Sequence, residues 1–279
     1  MPKTLTPALV CALLSGPLLA GCAEGAPERE RVLLVTTTSV EASGLLNEVL
    51  EAYHAAQDRY RLAPTAVGSG AALEMGKRGD ADVLVTHDPA GERAFAEGGF
   101  AAEQGRVMMN RFLIAGPAAD PAGVAGAGGP EAALRGIADA GARFVSRGDD
   151  SGTHTREREL WRAAGLAPWE GRPDWYVEAG TGMGETLQMA GQLGAYTLTD
   201  RGTFLHLRGS LDLRPLLERG SMLENHYTYT LPLDPANPDG ARDFVAWLTG
   251  PGQAVIARYG VERFGEALFV PAAARASGG

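Results

Sequence analysis

Cysteine is nearly absent from this chain of 279 residues: there are two, Cys11 and Cys22, and none follows residue 22. The body of the protein therefore has no disulfide scaffold, no cysteine nucleophile and no cysteine-based zinc site. Histidine is also scarce, and the five histidines are scattered without an H-x-x-x-H pair. We interpret them as surface or hydrogen-bonded residues, and we expect no bound metal ion.

Basic residues are in the minority, because 25 Lys and Arg stand against 34 Asp and Glu and give a formal net charge of −9. General binding to nucleic acid or to an anionic membrane surface is therefore not expected. A small anionic ligand remains compatible with this charge, since a compact site responds to its local dipoles more than to the distant surface. The hydrophobic fraction of 45% is typical of a globular protein.

Three common enzyme motifs are missing as well. Residues 68–70 are not a nucleophile elbow, because the preceding Gly that this motif needs is replaced by Val67. Residues 76–77 resemble the end of a P-loop, but Ala71 takes the place of its first Gly and Arg78 the place of its Ser or Thr. The glycines of residues 180–184 lack the spacing of a dinucleotide fingerprint. The sequence therefore predicts neither an enzyme nor a cofactor.

The N-terminus has the pattern of an export signal. Residues 1–21 combine Lys3 with a short apolar stretch that proline and glycine interrupt, which is too short and too broken for a permanent transmembrane helix. Leu19-Ala20-Gly21-Cys22 resembles a bacterial lipobox, and this resemblance implies that Cys22 is lipidated and begins the mature protein. Residues 22–30 are polar and predict a tether. We expect an exported lipoprotein, periplasmic or at the cell surface; an ordinary signal peptide with an incidental cysteine is the alternative.

Strand and helix patterns alternate along the body of the chain, which indicates an α/β fold with a parallel sheet. Apolar runs predict strands at residues 31–35, 60–67, 81–86, 107–115, 143–146, 175–178, 195–198 and 225–233. Helical spacing begins at residue 43 and recurs between most of these strands. We predict two α/β lobes, the first formed by residues 31–111 with 225–279 and the second by residues 112–224.

Four loops rich in Ser, Thr and Gly join a strand to a helix, at residues 36–39, 68–70, 146–153 and 180–184. Helix N-termini present unpaired N–H groups, hydroxyl side chains add donors, and such loops meet at the carboxyl edge of an α/β sheet. We therefore expect an anion site made of neutral donors and one guanidinium, that of Arg147. The alternative is that each Ser or Thr only caps its helix.

Several of these segments resemble the TupA family of tungstate-binding proteins, the substrate-binding components of tungstate ABC importers. The similarity spans about residues 31–270 and is carried by LVTTTS at 34–39, AVGSG at 66–70, FVSRGDDSGTH at 144–154, WYVEAG at 175–180 and AYTLTDRGT at 195–203. It implies a type II periplasmic binding protein fold with a ligand cleft between the lobes. It also implies an ABC permease as partner and a monomeric protein that takes up tungstate or molybdate.

The resemblance assigns ligand-binding roles to residues in three of the four loops. The implied ligand-binding residues are Thr37, Thr38, Ser39, Ser69, Arg147, Ser151 and Thr153. The loop at residues 180–184 matches the family without an assigned contact. Met109-Asn110-Arg111 departs from the family, which often has an aromatic-Asn-Asp sequence there, and Arg111 is not placed in the site.

Three other functions stay open at this point. A phosphate-binding protein is compatible with the Arg-x-Asp-x-Ser-Gly-Thr run at residues 147–153, where Asp149 could accept the proton that phosphate carries. An enzyme on the same fold would use Asp149, Asp150 or His154 as acid–base groups. A sensory binding module without transport is the third.

Overall fold

The computed structural model describes residues 29–272, so the predicted signal peptide and Cys22 lie outside the described residues. Within residues 29–272 the strands are β1 (Glu30–Thr37), β2 (Tyr60–Val67), β3 (Val83–Thr86), β4 (Ala101–Gly116), β5 (Phe144–Ser146), β6 (Tyr176–Glu178), β7 (Thr197–Asp200), β8 (Arg214–Leu217), β9 (Glu224–Pro232) and β10 (Val270–Pro271). The α-helices are α1 (Thr38–Ala42), α2 (Leu45–Ala56), α3 (Ser69–Lys77), α4 (Pro89–Glu97), α5 (Pro130–Asp139), α6 (Gly152–Ala163), α7 (Pro168–Gly171), α8 (Met183–Leu193), α9 (Arg201–Leu207), α10 (Pro238–Thr249), α11 (Gly252–Arg258) and α12 (Val261–Phe264). None of the helices in this part of the chain is long and apolar enough to cross a membrane.

The large sheet is mixed rather than wholly parallel. Strand β1 lies between β2 and β3 and is parallel to both, whereas β9 is antiparallel to β3 and to β4. The expectation of a parallel sheet is therefore confirmed for β1–β3 and wrong for β4 and β9. The reason is topological: the chain leaves this part of the sheet along β4 and returns beside it along β9, so the two strands must run in opposite directions.

Strand β4 is longer than its apolar run predicts and carries the chain from one half of the fold to the other. Its first part pairs with β9, and its last residues pair with β7 and β8. The polar start of β4, residues 101–106, was not predicted as strand because its side chains do not alternate as a half-buried strand would; pairing with β9 holds it extended.

Apolar side chains collect into separate clusters on the two parts of the molecule. One cluster joins β1, β3 and β9 to the buried faces of α2 and α10, and two others join β5, β7 and the end of β4 to α5, α6 and α8. Helix α2 shows why its sequence folds this way: Leu45, Leu46, Val49 and Tyr53 recur at helical spacing and are all buried.

The helix predicted from residue 43 onward is α2, and a short helix that was not predicted, α1, precedes it with a break between the two. Gly44 adopts a φ of +83°, which residues other than glycine rarely tolerate, and this turns the chain between α1 and α2. The hydroxyl of Tyr259 donates to the carbonyl of Ser43 at 2.6 Å and fixes the break from α11's end. Residues 36–39 were predicted as a loop, but they continue β1 and begin α1. Thr36 pairs with β2 and β3, and Thr37 pairs with β2, because these β-branched residues extend β1 to the start of the helix.

Candidate functional site

The four strand-to-helix junctions predicted from the sequence lie close together, between the two parts of the molecule that hold the separate apolar clusters. The Nη2 atom of Arg147 lies 3.5 Å from Oγ1 of Thr38, which joins the β5–α6 junction to the β1–α1 junction. The backbone N–H of Gly180 donates to the carbonyl of Arg147 at 2.9 Å. A Cβ placed on Gly68 would lie 3.7 Å from Cα of Ser151, so the β2–α3 junction completes the group.

The guanidinium of Arg147 is the buried positive charge at this meeting point, and only 3% of its side chain is exposed. One face of the group is held by Asp149, whose Oδ2 lies 2.7 Å from Nη2. The Nε atom is buried and has no hydrogen-bond partner within residues 29–272. A buried, incompletely paired guanidinium is costly unless an anion completes it.

A buried carboxyl group supports the Arg147 segment from below. The backbone N–H of Arg147 donates to Oε2 of Glu157 at 3.2 Å, and the hydroxyl of Tyr176 donates to Oε1 of the same group at 2.9 Å. Burial raises the pKa of Glu157 to about 7, while hydrogen bonds to its neighbours oppose this change. These contacts fix the turn that brings Arg147 close to Thr38.

Hydroxyl groups of the β1–α1 junction form a buried cluster with two aromatic side chains. The Oγ atom of Ser39 lies 3.0 Å from Oγ1 of Thr37, 3.2 Å from Nε2 of His87 and 3.3 Å from the hydroxyl of Tyr227. Burial, and then the positive charge of Arg147, lower the pKa of His87 to about 4, so the ring is neutral at pH 7. The cluster is thus a set of neutral donors and acceptors.

The same histidine is a contact between the two halves of the molecule. A Cβ placed on Gly152, the first residue of α6, would lie 2.7 Å from Cε1 of His87. Only glycine allows α6 to approach the imidazole this closely.

The remaining predicted site residues have different surroundings. Ser69 is buried, and its hydroxyl accepts from the backbone N–H of His87 at 3.4 Å, so it does not cap α3. Ser151 caps α6, because its hydroxyl accepts from the N–H of His154 at 3.3 Å, and its ligand contact stays a prediction. Thr153 is fully buried, and its hydroxyl has no hydrogen-bond partner in the described part of the chain.

The candidate acid–base groups are committed to structural contacts. Asp149 accepts from the N–H of Ser151 at 3.2 Å in addition to its ion pair with Arg147. Nδ1 of His154 accepts from the N–H of Asp150 at 3.0 Å, and burial lowers the pKa of His154. The side chain of Asp150 is 93% exposed.

Four residues of this site were not found by sequence reasoning. His87 follows β3, Tyr227 lies on β9, Glu157 lies on α6, and Asp200 caps α9. For His87 and Asp200 a signal existed, since His87 directly follows the short apolar strand β3 and Asp200 is the last residue of β7, next to the start of α9. Tyr227 and Glu157 carry no such signal, because they look like ordinary residues of a strand and a helix.

Comparison with known proteins agrees with this architecture. A family model described as a PBP superfamily domain matches residues 23–251. The tungstate-binding protein TupA of Peptoclostridium acidaminophilum is 39% identical, and the match covers 98% of this chain and 100% of that protein. The chain belongs to the PBP superfamily and, within it, to the TupA family of tungstate-binding proteins.

Solved structures give the same relationship. The tungstate ABC transporter structure from Geobacter sulfurreducens is 41% identical with a TM-score of 0.74, and the match covers 82% of this chain and 99% of that one. TupA of Desulfovibrio alaskensis G20 is 40% identical with a TM-score of 0.73, over 87% of this chain and 98% of that one. The type II periplasmic binding protein fold predicted from the sequence is confirmed.

Proposed function

We propose that this protein is an extracytoplasmic substrate-binding protein that captures a tetrahedral oxyanion, tungstate above all and molybdate as well, and delivers it to an ABC importer. The observation that carries the proposal is the position of Arg147, a buried guanidinium with an unpaired Nε that meets Thr38 from the other half of the molecule. The relatives named above, whose names state tungstate binding, support the choice of ligand.

The ligand in this proposal lies among the predicted residues of both halves. Thr37, Thr38 and Ser39 would donate from one side, and Arg147 and Thr153 from the other. The charge of the Arg147–Asp149 pair is close to zero, so most of the stabilisation of a dianion would come from hydroxyl and backbone N–H donors at the starts of α3, α6 and α8. Such fixed donors replace the hydration shell of the anion when water is excluded.

Capture by lobe closure follows from the same proposal. The lobes would be residues 31–111 with 225–279 and residues 112–224, and β4 and β9 would be the segments about which they move. The close contact between Gly152 and His87 supports a closed arrangement. Closure couples the ligand to the surface that a permease recognises, because a ligand shifts the population toward the conformation that binds it better.

The surroundings of Asp149 weigh against phosphate as the main ligand. Each of its oxygens already accepts, one from Arg147 and one from the N–H of Ser151, so these bonds compete with the proton of hydrogen phosphate for the carboxylate. The ion pair of Asp149 with Arg147, and the hydrogen bond from the N–H of Asp150 to Nδ1 of His154, also give no support to acid–base catalysis by Asp149 or His154. For the N-terminus we keep the proposal that Cys22 carries a lipid anchor.

A thermal-shift panel of the purified protein with tungstate, molybdate, sulfate, phosphate and vanadate tests the proposed function. A ligand that binds only the folded state raises the melting temperature. At a ligand concentration of one hundred times the dissociation constant, the free energy of unfolding increases by about 2.7 kcal/mol. We expect the largest shifts with tungstate and molybdate. Equal shifts with all five anions, or none, would contradict the proposal.

Transport is tested separately from binding. A strain that lacks this protein and its permease is given both, or the permease alone, and cellular tungsten is measured after growth at low tungstate. Accumulation that needs both components supports delivery to an importer, whereas accumulation that ignores this protein favours a sensory module.

A further inference from the structure

A line of buried hydrogen bonds connects the start of α9 to the hydroxyl cluster. The amide nitrogen of Asn110 lies 3.5 Å from Oδ1 of Asp200, and the amide oxygen of Asn110 accepts from Nδ2 of Asn225 at 2.8 Å. The same Nδ2 donates to the hydroxyl of Tyr227 at 3.1 Å, and that hydroxyl lies 3.3 Å from Oγ of Ser39. We call the first four residues, Asp200, Asn110, Asn225 and Tyr227, the polar chain; each of them is less than a tenth exposed.

The chemistry of its members gives the polar chain one direction. Oδ1 of Asp200 already accepts from the N–H of Thr203 at 2.9 Å, so this oxygen acts as an acceptor toward Asn110 as well. The amide of Asn110 therefore turns its NH₂ toward Asp200 and its oxygen toward Asn225. Both protons of the Asn225 NH₂ are then used, one on Asn110 and one on the oxygen of Tyr227. Because the hydroxyl of Tyr227 accepts from Asn225, it donates its own proton to Oγ of Ser39.

His87 supplies a second donor to Ser39. Its Nδ1 atom is buried against Gly152 and has no hydrogen-bond partner among the residues that the structure describes. A proton on Nδ1 would be a buried donor without an acceptor, which folded proteins avoid. The proton of the neutral ring is therefore on Nε2, from which it is donated to Oγ of Ser39.

These hydrogen bonds determine whether the hydroxyl of Thr37 donates or accepts toward a ligand. Ser39 has two lone pairs, and Tyr227 and His87 fill them both, so Ser39 must donate its own proton. Its donation to Thr37, 3.0 Å away, leaves the proton of Thr37 free for a ligand; if Ser39 turns to the ligand instead, it too can only donate. Either way this edge of the site offers a proton.

We propose that the polar chain positions the Ser39 and Thr37 hydroxyls as obligatory donors, and that the site thereby discriminates against oxyanions that themselves carry a proton. This inference rests on the proposed function, since it needs an oxyanion at Thr37 or Ser39. Tungstate and hydrogen phosphate separate the two cases, because both are dianions in a slightly alkaline buffer and only hydrogen phosphate keeps a proton. The four residues act through Ser39 and are positioning residues.

The variant Tyr227→Phe tests the inference. It frees one lone pair of Ser39, so the bond between Ser39 and Thr37 can reverse and the site can accept a proton. We expect the ratio of the tungstate and phosphate dissociation constants to shift toward phosphate by about tenfold, close to the worth of one hydrogen bond lost for tungstate and regained by phosphate. The control is Tyr229→Phe on the same strand, which removes a hydroxyl bonded to Glu103 at 2.6 Å.

Each outcome of this experiment decides the point. A shifted ratio in Tyr227→Phe, with the wild-type ratio kept in Tyr229→Phe, supports the inference. Equal weakening of both anions, or phosphate binding that stays undetectable in Tyr227→Phe, overturns it, because a merely structural role lowers both affinities together. Asp200→Asn keeps the shape and capping ability of the side chain, but it lets the hydrogen bonds along the polar chain reverse their direction. This variant must therefore shift the ratio of the dissociation constants in the same direction. If the wild-type protein binds no oxyanion, the proposed function fails first and the inference fails with it.

Discussion

Replacing Arg147 by alanine is the sharpest perturbation of the proposed site. A hydrogen bond to a charged group contributes about 1.5–3 kcal/mol net, and burial keeps this one from being screened by solvent. The substitution also removes the guanidinium that lies 2.7 Å from the Asp149 carboxylate, so this carboxylate stays unpaired beside the bound anion and repels it. We therefore expect a loss near the upper end, about 3 kcal/mol, which is roughly a hundredfold weaker tungstate binding.

Titration calorimetry with tungstate measures this loss, and two further variants make it interpretable. Arg143→Ala removes the same charge from an exposed position close by in the sequence, and it is expected to bind as the wild type does. Arg147→Ala with Asp149→Ala removes the repelling carboxylate too and should regain about tenfold of the affinity. Tungstate binding by Arg147→Ala that equals that of Arg143→Ala would refute the assignment of Arg147 to the site.

Four other predictions concern pH, lobe contact and folding. Folded Glu157 keeps its proton up to about pH 7 and the unfolded group releases it near 4.5, so its burial lowers stability as pH rises through that window; Glu157→Gln should remove about 3 kcal/mol of that loss in denaturant unfolding followed against pH. His87 acts oppositely, because the unfolded ring binds a proton below 6.5 and the folded ring only below about 4, so stability falls as pH decreases and His87→Gln should remove this fall. Gly152→Ala would set a Cβ 2.7 Å from His87 and should weaken tungstate binding by about tenfold or more without lowering the melting temperature of the free protein, since alanine favours helix. Gly44→Ala combines a left-handed φ with a Cβ 2.5 Å from the hydroxyl of Tyr259, and it should destabilise folding by about 2 kcal/mol or more in the same unfolding assay.

Local pattern and loop chemistry determine much of what the sequence could predict. Strand β2 has the predicted bounds because its flanks carry strong turn residues, and the junctions that hold Thr38 and Arg147 were recognised by their Ser, Thr and Gly content. The structure places these two side chains 3.5 Å apart, although 109 positions separate them in the chain.

Long-range pairing accounts for what the sequence could not predict. The polar start of β4 is extended only because β9 returns beside it, and the break between α1 and α2 depends on Tyr259, more than 200 residues later. His87 and Tyr227 belong to the hydroxyl cluster through contacts with Ser39 across 48 and 188 positions. No local window contains such information, whereas the chemistry of a strand-end loop is contained in a few residues.

The central claim is that loops from both halves of the molecule hold one tungstate ion between them. Anomalous diffraction at the tungsten edge, from crystals grown with tungstate, tests it directly, because tungsten is heavier than any atom of the protein. The account predicts one strong peak whose oxygens lie within hydrogen-bond distance of the Arg147 guanidinium and of the Thr37–Ser39 hydroxyls. A peak bound by one half alone, or on the outer surface, would contradict it.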